Sequence, residues 1–153
     1  MDKLVAAQAR ALMEGEKDEI AILANLSALL NESMQDINWV GFYLFKEDHL
    51  ILGPFQGKPA CIHLYPGKGV CSHALETKEI TVVDDVHAFP GHIACDAASQ
   101  SEVVLPIFLN DKPYGVLDID APILARFKQD DVNVLKEIVD DLQSYLEEIL
   151  AKN

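Results

Sequence analysis

The run ITVVDDVHAFPGHIACD, Ile80 to Asp96, sets a strand against a segment that cannot be one. Ile80-Thr81-Val82-Val83 is β-branched throughout and reads as a strand. Pro90 and Gly91 then break any regular element, because one lacks an N–H and the other favours turn dihedrals. The segment after the strand is no Ser/Asn-rich connector. It carries His87, His92, Phe89, Cys95 and the carboxylates of Asp84, Asp85 and Asp96. Loops held by a rigid scaffold are where chemistry tends to sit. The plainer reading is an ordered loop whose Phe89 and Ile93 plug the core, with Cys95 a small buried hydrophobe.

Outward from this loop the elements fall in a simple order. Apolar residues at Leu4, Leu12, Ile20, Leu23, Leu26, Leu29 and Leu30 recur near helical spacing, and Gly15 divides them into two helices. The second helix runs from about Asp18 to Ser33, with acids at its start as the helix dipole prefers. Asn38 to Phe45 and His49 to Phe55 form a hairpin across Lys46-Glu47-Asp48. Cys61-Ile62-His63-Leu64 reads as a short strand and Val70 to Thr77 as a short helix with Gly69 near its start. A second hairpin, Glu102 to Leu109 and Tyr114 to Ile119, turns at Asn110-Asp111-Lys112-Pro113. Asp130 to Leu150 closes the chain as an amphipathic helix through Val132, Leu135, Ile138, Val139, Leu142, Leu146 and Ile149. Helices, antiparallel strands, a loop-rich middle and a closing helix predict an α+β fold. The terminal helices should pack on one sheet face, leaving the irregular middle as a lid over a pocket on the other.

A chain of 153 residues, half of them apolar, suits one globular domain over residues 1–153. Its net charge of −13 repels phosphate backbones and anionic lipid, which argues against nucleic-acid or membrane partners. No apolar run is long enough for a membrane span or a signal-peptide core, so the expected compartment is the reducing cytoplasm. Three cysteines there do not make a permanent disulfide framework. A homodimer is compatible with the sequence.

Two groups of residues can carry chemistry. In the second hairpin Asp118 and Asp120 share a strand face, opposite Leu117 and Ile119, and Glu102 on the partner strand can join them. Three carboxylates on one face repel, which raises at least one pKa and makes a general acid. A solvated polar face is the plainer account, although mid-strand Gly115 marks a place where backbone approaches a ligand. The second group is the thiols. Cys71 lies at a helix N-terminus, which favours the thiolate, and a protonated His92 would do the same for Cys95. Zinc held by the thiols with His73 or His92 is disfavoured, because no C-x-x-C pair exists and His92-x-x-Cys95 is the one tolerable spacing. A redox set of one attacking thiol and one or two resolving thiols fits better, each beside a glycine, a proline or a loop.

NWVGFYLF, GPFQGKPAC, GKGVC, DVHAFPGHIACD, SEVVLP and GVLDIDAP, taken in this order from Asn38 to Pro122, resemble the free methionine-R-sulfoxide reductases. The resemblance implies a GAF-like fold. It implies Cys95 as the attacking cysteine, Cys61 as the partner that forms a disulfide with it, and Cys71 as an auxiliary thiol. Glu102, Asp118 and Asp120 match the acids that hold the sulfoxide oxygen and the substrate's ammonium. Trp39 and Tyr43 match an aromatic wall at the methyl end, and backbone N–H groups near Ile93 and Ala94 match the carboxylate site. A thioredoxin-like reductant would recycle the disulfide, with no metal or other cofactor. The alternative expectation is a non-enzymatic GAF module that senses a small ligand.

Overall fold

A computed structural model describes residues 1–93 and 95–151. The chain begins with α1 (Leu4–Met13) and α2 (Glu19–Ser33), which Gly15 separates at φ +74°. Asp18 caps α2 by accepting the Ala21 N–H at 3.0 Å, satisfying a donor that the first helical turn leaves free. The strands β1 (Trp39–Lys46) and β2 (His49–Gly57) form the first hairpin, and β3 (His63–Leu64) adds an edge of two residues. After α3 (Gly69–Thr77) come β4 (Thr81–Val83) and a single 3-10 turn at Val86–Ala88. The hairpin β5 (Ser101–Leu109) and β6 (Lys112–Ala121) leads into α4 (Gln129–Ala151). Every strand pair is antiparallel, and the six-stranded sheet runs β3-β2-β1-β6-β5-β4.

Period-two alternation divides the central strands between two apolar layers. Val40 and Phe42 of β1, Val103, Leu105 and Ile107 of β5, and Leu117 and Ile119 of β6 meet α1, α2 and α4 in the larger core. Trp39, Tyr43, Val104 and Val116, one residue out of phase, meet α3 in the smaller one. The expected arrangement of terminal helices on one face therefore holds.

Two readings of the pattern need correction. Leu4, Leu12 and Ile20 are 59%, 37% and 50% exposed. The buried stripe of α1 is instead Val5, Ala6, Ala9 and Met13, where alanines let the helix lie close to α4. Gly115 does not face a ligand. A Cβ there would collide with the Tyr43 carbonyl oxygen and sit 3.1 Å from Leu44 Cα, so the glycine admits the neighbouring strand β1.

Candidate active site

The same alternation that buries Leu117 and Ile119 turns Asp118 and Asp120 to the second face. Glu102 stands directly across from Asp120, Val104 lies opposite Asp118, and Trp39 of β1 pairs with Asp120 from the other side. Glu102 and Asp118 are buried, and all three acids line one pocket. The solvated-face account of these acids fails on this point. Burial, followed by the charge on Asp118 and Asp120, pushes the Glu102 carboxyl well above the usual range. Burial raises Asp118, and burial with the neighbouring Asp118 charge raises Asp120 well above its ordinary value.

Cys71 and Cys95 line the same pocket as the acids. Cys61 and Cys95 form a disulfide with Cα atoms 5.6 Å apart, joining the segment before β3 to the loop after β4. Cys71 is free and buried in the first turns of α3. Its position near a helix N-terminus does not make it a thiolate. Burial and the facing carboxylates of Asp118, Glu102 and Asp120 push the thiol pKa far up, and these outweigh the helix end. Nor is Cys71 in an exposed, movable setting, as its neighbouring glycine suggested. His92 likewise differs from expectation: burial and the nearby His87 lower its pKa, which disfavours the imidazolium that would activate Cys95.

Aromatic side chains close one wall. Trp39 stacks on Tyr43 at 5.8 Å between ring centroids and on Phe55 at 5.2 Å. The Tyr43 hydroxyl donates to the Cys61 carbonyl at 2.9 Å, and Trp39 Nε1 donates to the Lys58 carbonyl at 3.2 Å. The wall thus also fixes the backbone that carries Cys61. Nothing in the sequence pattern marks Phe55 for this wall, and Gly41 shows why it fits: a Cβ on Gly41 would strike the Phe55 side chain and backbone.

The Cys95 loop is tied down on both sides. Gly69 N–H donates to the Gly91 carbonyl at 3.0 Å, and Asn38 Nδ2 donates to Asp96 Oδ2 at 2.9 Å and Ser99 Oγ at 3.1 Å. These Asn38 bonds span some sixty residues of chain, so no local motif announces them. Ile93 packs over Gly69, where an added Cβ would sit 3.4 Å from its Cδ1. Ala94, expected to offer its N–H, lies outside the described residues.

A six-stranded antiparallel sheet with terminal helices on one face and a pocket under α3 on the other defines the class of protein, a GAF domain with a disulfide in its pocket. The GAF domain family matches residues 16–147. The chain is 51% identical over 136 residues to the free methionine-R-sulfoxide reductase of Escherichia coli (strain K12), covering 89% of this chain and 82% of that protein. It is also similar to the fRMsr of Staphylococcus aureus in complex with substrate, at 55% identity and a TM-score of 0.89, covering 94% of each chain. The free methionine-R-sulfoxide reductase from Neisseria meningitidis in complex with its substrate superposes with a TM-score of 0.92 at 40% identity, covering 97% of this chain and 89% of that one. The chain belongs to the free methionine-R-sulfoxide reductases, a family of GAF-domain enzymes.

Proposed function

We propose that the protein reduces free L-methionine-R-sulfoxide to methionine, with Cys95 as the attacking thiol and Cys61 as the resolving one. The observation that carries this reading is that Cys95, joined to Cys61 in a disulfide, lines the same pocket as the buried carboxyls. A sulfoxide oxygen leaves only when protonated, and carboxyls with raised pKa values hold a proton near neutral pH. The reduced Cys95 thiolate attacks the substrate sulfur while a carboxyl protonates the sulfoxide oxygen; the hydroxyl then passes to the Cys95 sulfur as the new S–S bond breaks and methionine departs. Cys95 is left as a sulfenic acid. The Cys61 thiol condenses with it, releasing water and forming the disulfide. An external dithiol of the thioredoxin kind then reduces that bond, and both cysteines regain their protons. None of these three steps needs a metal or other cofactor.

Selectivity arises from the same residues. Glu102, Asp118 and Asp120 grip a free ammonium, which a residue inside a polypeptide does not have. Trp39 and Tyr43 shelter the methyl end, and the backbone N–H groups near Ile93 and Ala94 take the carboxylate. Cys71 serves as an auxiliary thiol beside Asp118. No described helix is long and apolar enough to cross a membrane. A cytoplasmic location suits a cycle that depends on a dithiol reductant.

The test is turnover of free methionine sulfoxide with a dithiol reductant, run on both sulfur epimers and on the N-acetylated substrate. Consumption of the free R epimer alone is expected. Absence of turnover on either epimer would return the protein to the ligand-sensing class.

A further inference from the structure

Cys71 is the one thiol that the disulfide leaves free, and it has unusual neighbours. One ligand atom each from Cys71, Glu102 and Asp118 lie within 4.8 Å of one another, all three residues buried. The Asp118 carboxyl, 5% exposed, has its hydrogen bonds only to the other two members of this set, Cys71 and Glu102, and its Oδ1 atom meets no donor among the described residues. A buried acceptor left unpaired carries the full cost of its desolvation, so the position favours a ligand that brings positive charge.

We propose that Cys71, Glu102 and Asp118 form a site for a divalent cation of the zinc or cadmium class, which takes the substrate's place in the pocket and blocks turnover. One thiolate and two carboxylates suit a borderline-soft ion, and they do not suit magnesium or calcium, which prefer six or more oxygen ligands. Metal–sulfur and metal–oxygen bonds of about 2.3 and 2.1 Å place tetrahedral ligands roughly 3.5 Å apart. The observed spread therefore has to contract by about 1 Å, within reach of side-chain rotation. Asp120, beside Glu102 in the same pocket, or a water can complete the coordination. Binding displaces the thiol proton of Cys71 and any proton held by Glu102, and the divalent charge replaces them. The orphaned Asp118 oxygen then gains its partner. Because none of the three ligands belongs to the disulfide, the site exists in the oxidised form as well. Cation binding stands on this geometry alone, and only its inhibitory effect rests on the catalytic reading above.

The oxidised protein gives a clean readout, because two of its three cysteines are in the disulfide and only Cys71 can become a metal thiolate. Titration of that form with cadmium, followed by the ultraviolet thiolate-to-metal charge-transfer band, should saturate at one cadmium per chain. Cys71→Ser should abolish the band. Glu102→Gln, which keeps the side-chain volume, should weaken binding at least tenfold while the thermal melt at neutral pH rises. Free methionine-R-sulfoxide should raise the apparent Kd in proportion to its concentration. No band at stoichiometric cadmium would overturn the proposal, as would a band that neither Glu102→Gln nor the sulfoxide affects. Metal-free turnover of the reduced protein separates the two readings. Turnover without cadmium binding removes only the cation site, and cadmium binding without turnover removes only the catalytic assignment.

Discussion

Replacing Glu102 by glutamine should move stability and activity in opposite directions. The side chain is 7% exposed in β5, opposite Asp120 and beside Asp118. An amide has the shape of the protonated acid and still donates one hydrogen bond, so packing survives the change. It removes one ionisable group from a crowded, buried set. Each unit by which burial raises a carboxyl pKa costs about 1.4 kcal/mol of folding free energy at pH values above it. Burial raises Glu102 well beyond its ordinary value, so the variant should be more stable than wild type at neutral pH, each kcal/mol gained reading as roughly 2–4 °C in Tm for a chain of this length. The sign depends on pH. A carboxyl raised on folding contributes stability below its unfolded pKa of about 4.3 and loses it as pH rises through the folded value. The Tm gap between variant and wild type should therefore be small near pH 4 and widen toward neutrality. Activity should fall, since a charge-assisted bond to substrate is worth about 1.5–3 kcal/mol, or roughly one to two decades in kcat/KM. The assay is kcat/KM on free and N-acetylated methionine-R-sulfoxide beside thermal melts at several pH values. Wild-type activity with an unaltered melt would refute the pocket assignment, and a fall in both would recast Glu102 as a structural acceptor.

Cys95→Ser should abolish reduction of free methionine-R-sulfoxide, because a hydroxyl cannot replace the polarisable thiolate; steady-state assays check this. Cys61→Ser should release one methionine per chain and stall with Cys95 as sulfenic acid, detectable by a trapping reagent and mass spectrometry. Gly115→Ala should cost about 1–3 kcal/mol by denaturant unfolding, since the new methyl meets the Tyr43 backbone. Asp131 accepts the Lys128 N–H at 2.9 Å, the Met1 ammonium at 3.1 Å and an Arg126 Nη1–H at 3.0 Å; burial alone would raise its pKa, but these partners hold it below the ordinary value. Its stabilisation is thus present above the unfolded pKa and lost as pH falls through the folded one, so Asp131→Asn should be destabilised at neutral pH and converge with wild type in acid.

Legibility in the sequence tracks how local each signal is. The strands of both hairpins show themselves through alternation, and β6 adds a face assignment, since Leu117 and Ile119 differ in polarity from Asp118 and Asp120. The amphipathic α4 is equally plain, because its apolar stripe is made of large residues. The stripe of α1 is not, because Ala6 and Ala9 carry it while Leu4 and Leu12 face outward. The environments of Cys71 and His92 escape a reading of the sequence for a different reason. A helix N-terminus is visible three residues away, whereas burial, the main cause of the raised Cys71 pKa, is set by tertiary packing, and the carboxylates that add to it arrive from β5 and β6, more than thirty residues downstream. His92 answers to burial and to His87, and neither effect appears in a spacing rule. The Asn38 clamp on Asp96 and Ser99 is invisible for the same reason of distance.

The proposed cycle requires two incompatible properties of one small pocket, and the chain places them on different kinds of structure. The acids must keep fixed positions, since a proton donor or an ammonium ligand displaced by an ångström loses most of its effect. All three project from β5 and β6, strands backed on their other face by the fully buried Leu105, Leu117 and Ile119. Cys95 has the opposite need. Its sulfur must meet the substrate in one step and Cys61 in the next, which no strand position would allow. It sits on a loop anchored before it at Gly91–Gly69 and after it at Asp96 and Ser99 by Asn38, while its own N–H bonds only Ile93 of the same loop among the described residues. The anchors hold the chain on either side of Cys95. Cys61, held through its carbonyl by the Tyr43 hydroxyl, stays where the travelling sulfur must arrive. Weakening an anchor should therefore slow disulfide closure more than it slows the first attack, because only closure requires Cys95 to reach a second, fixed target.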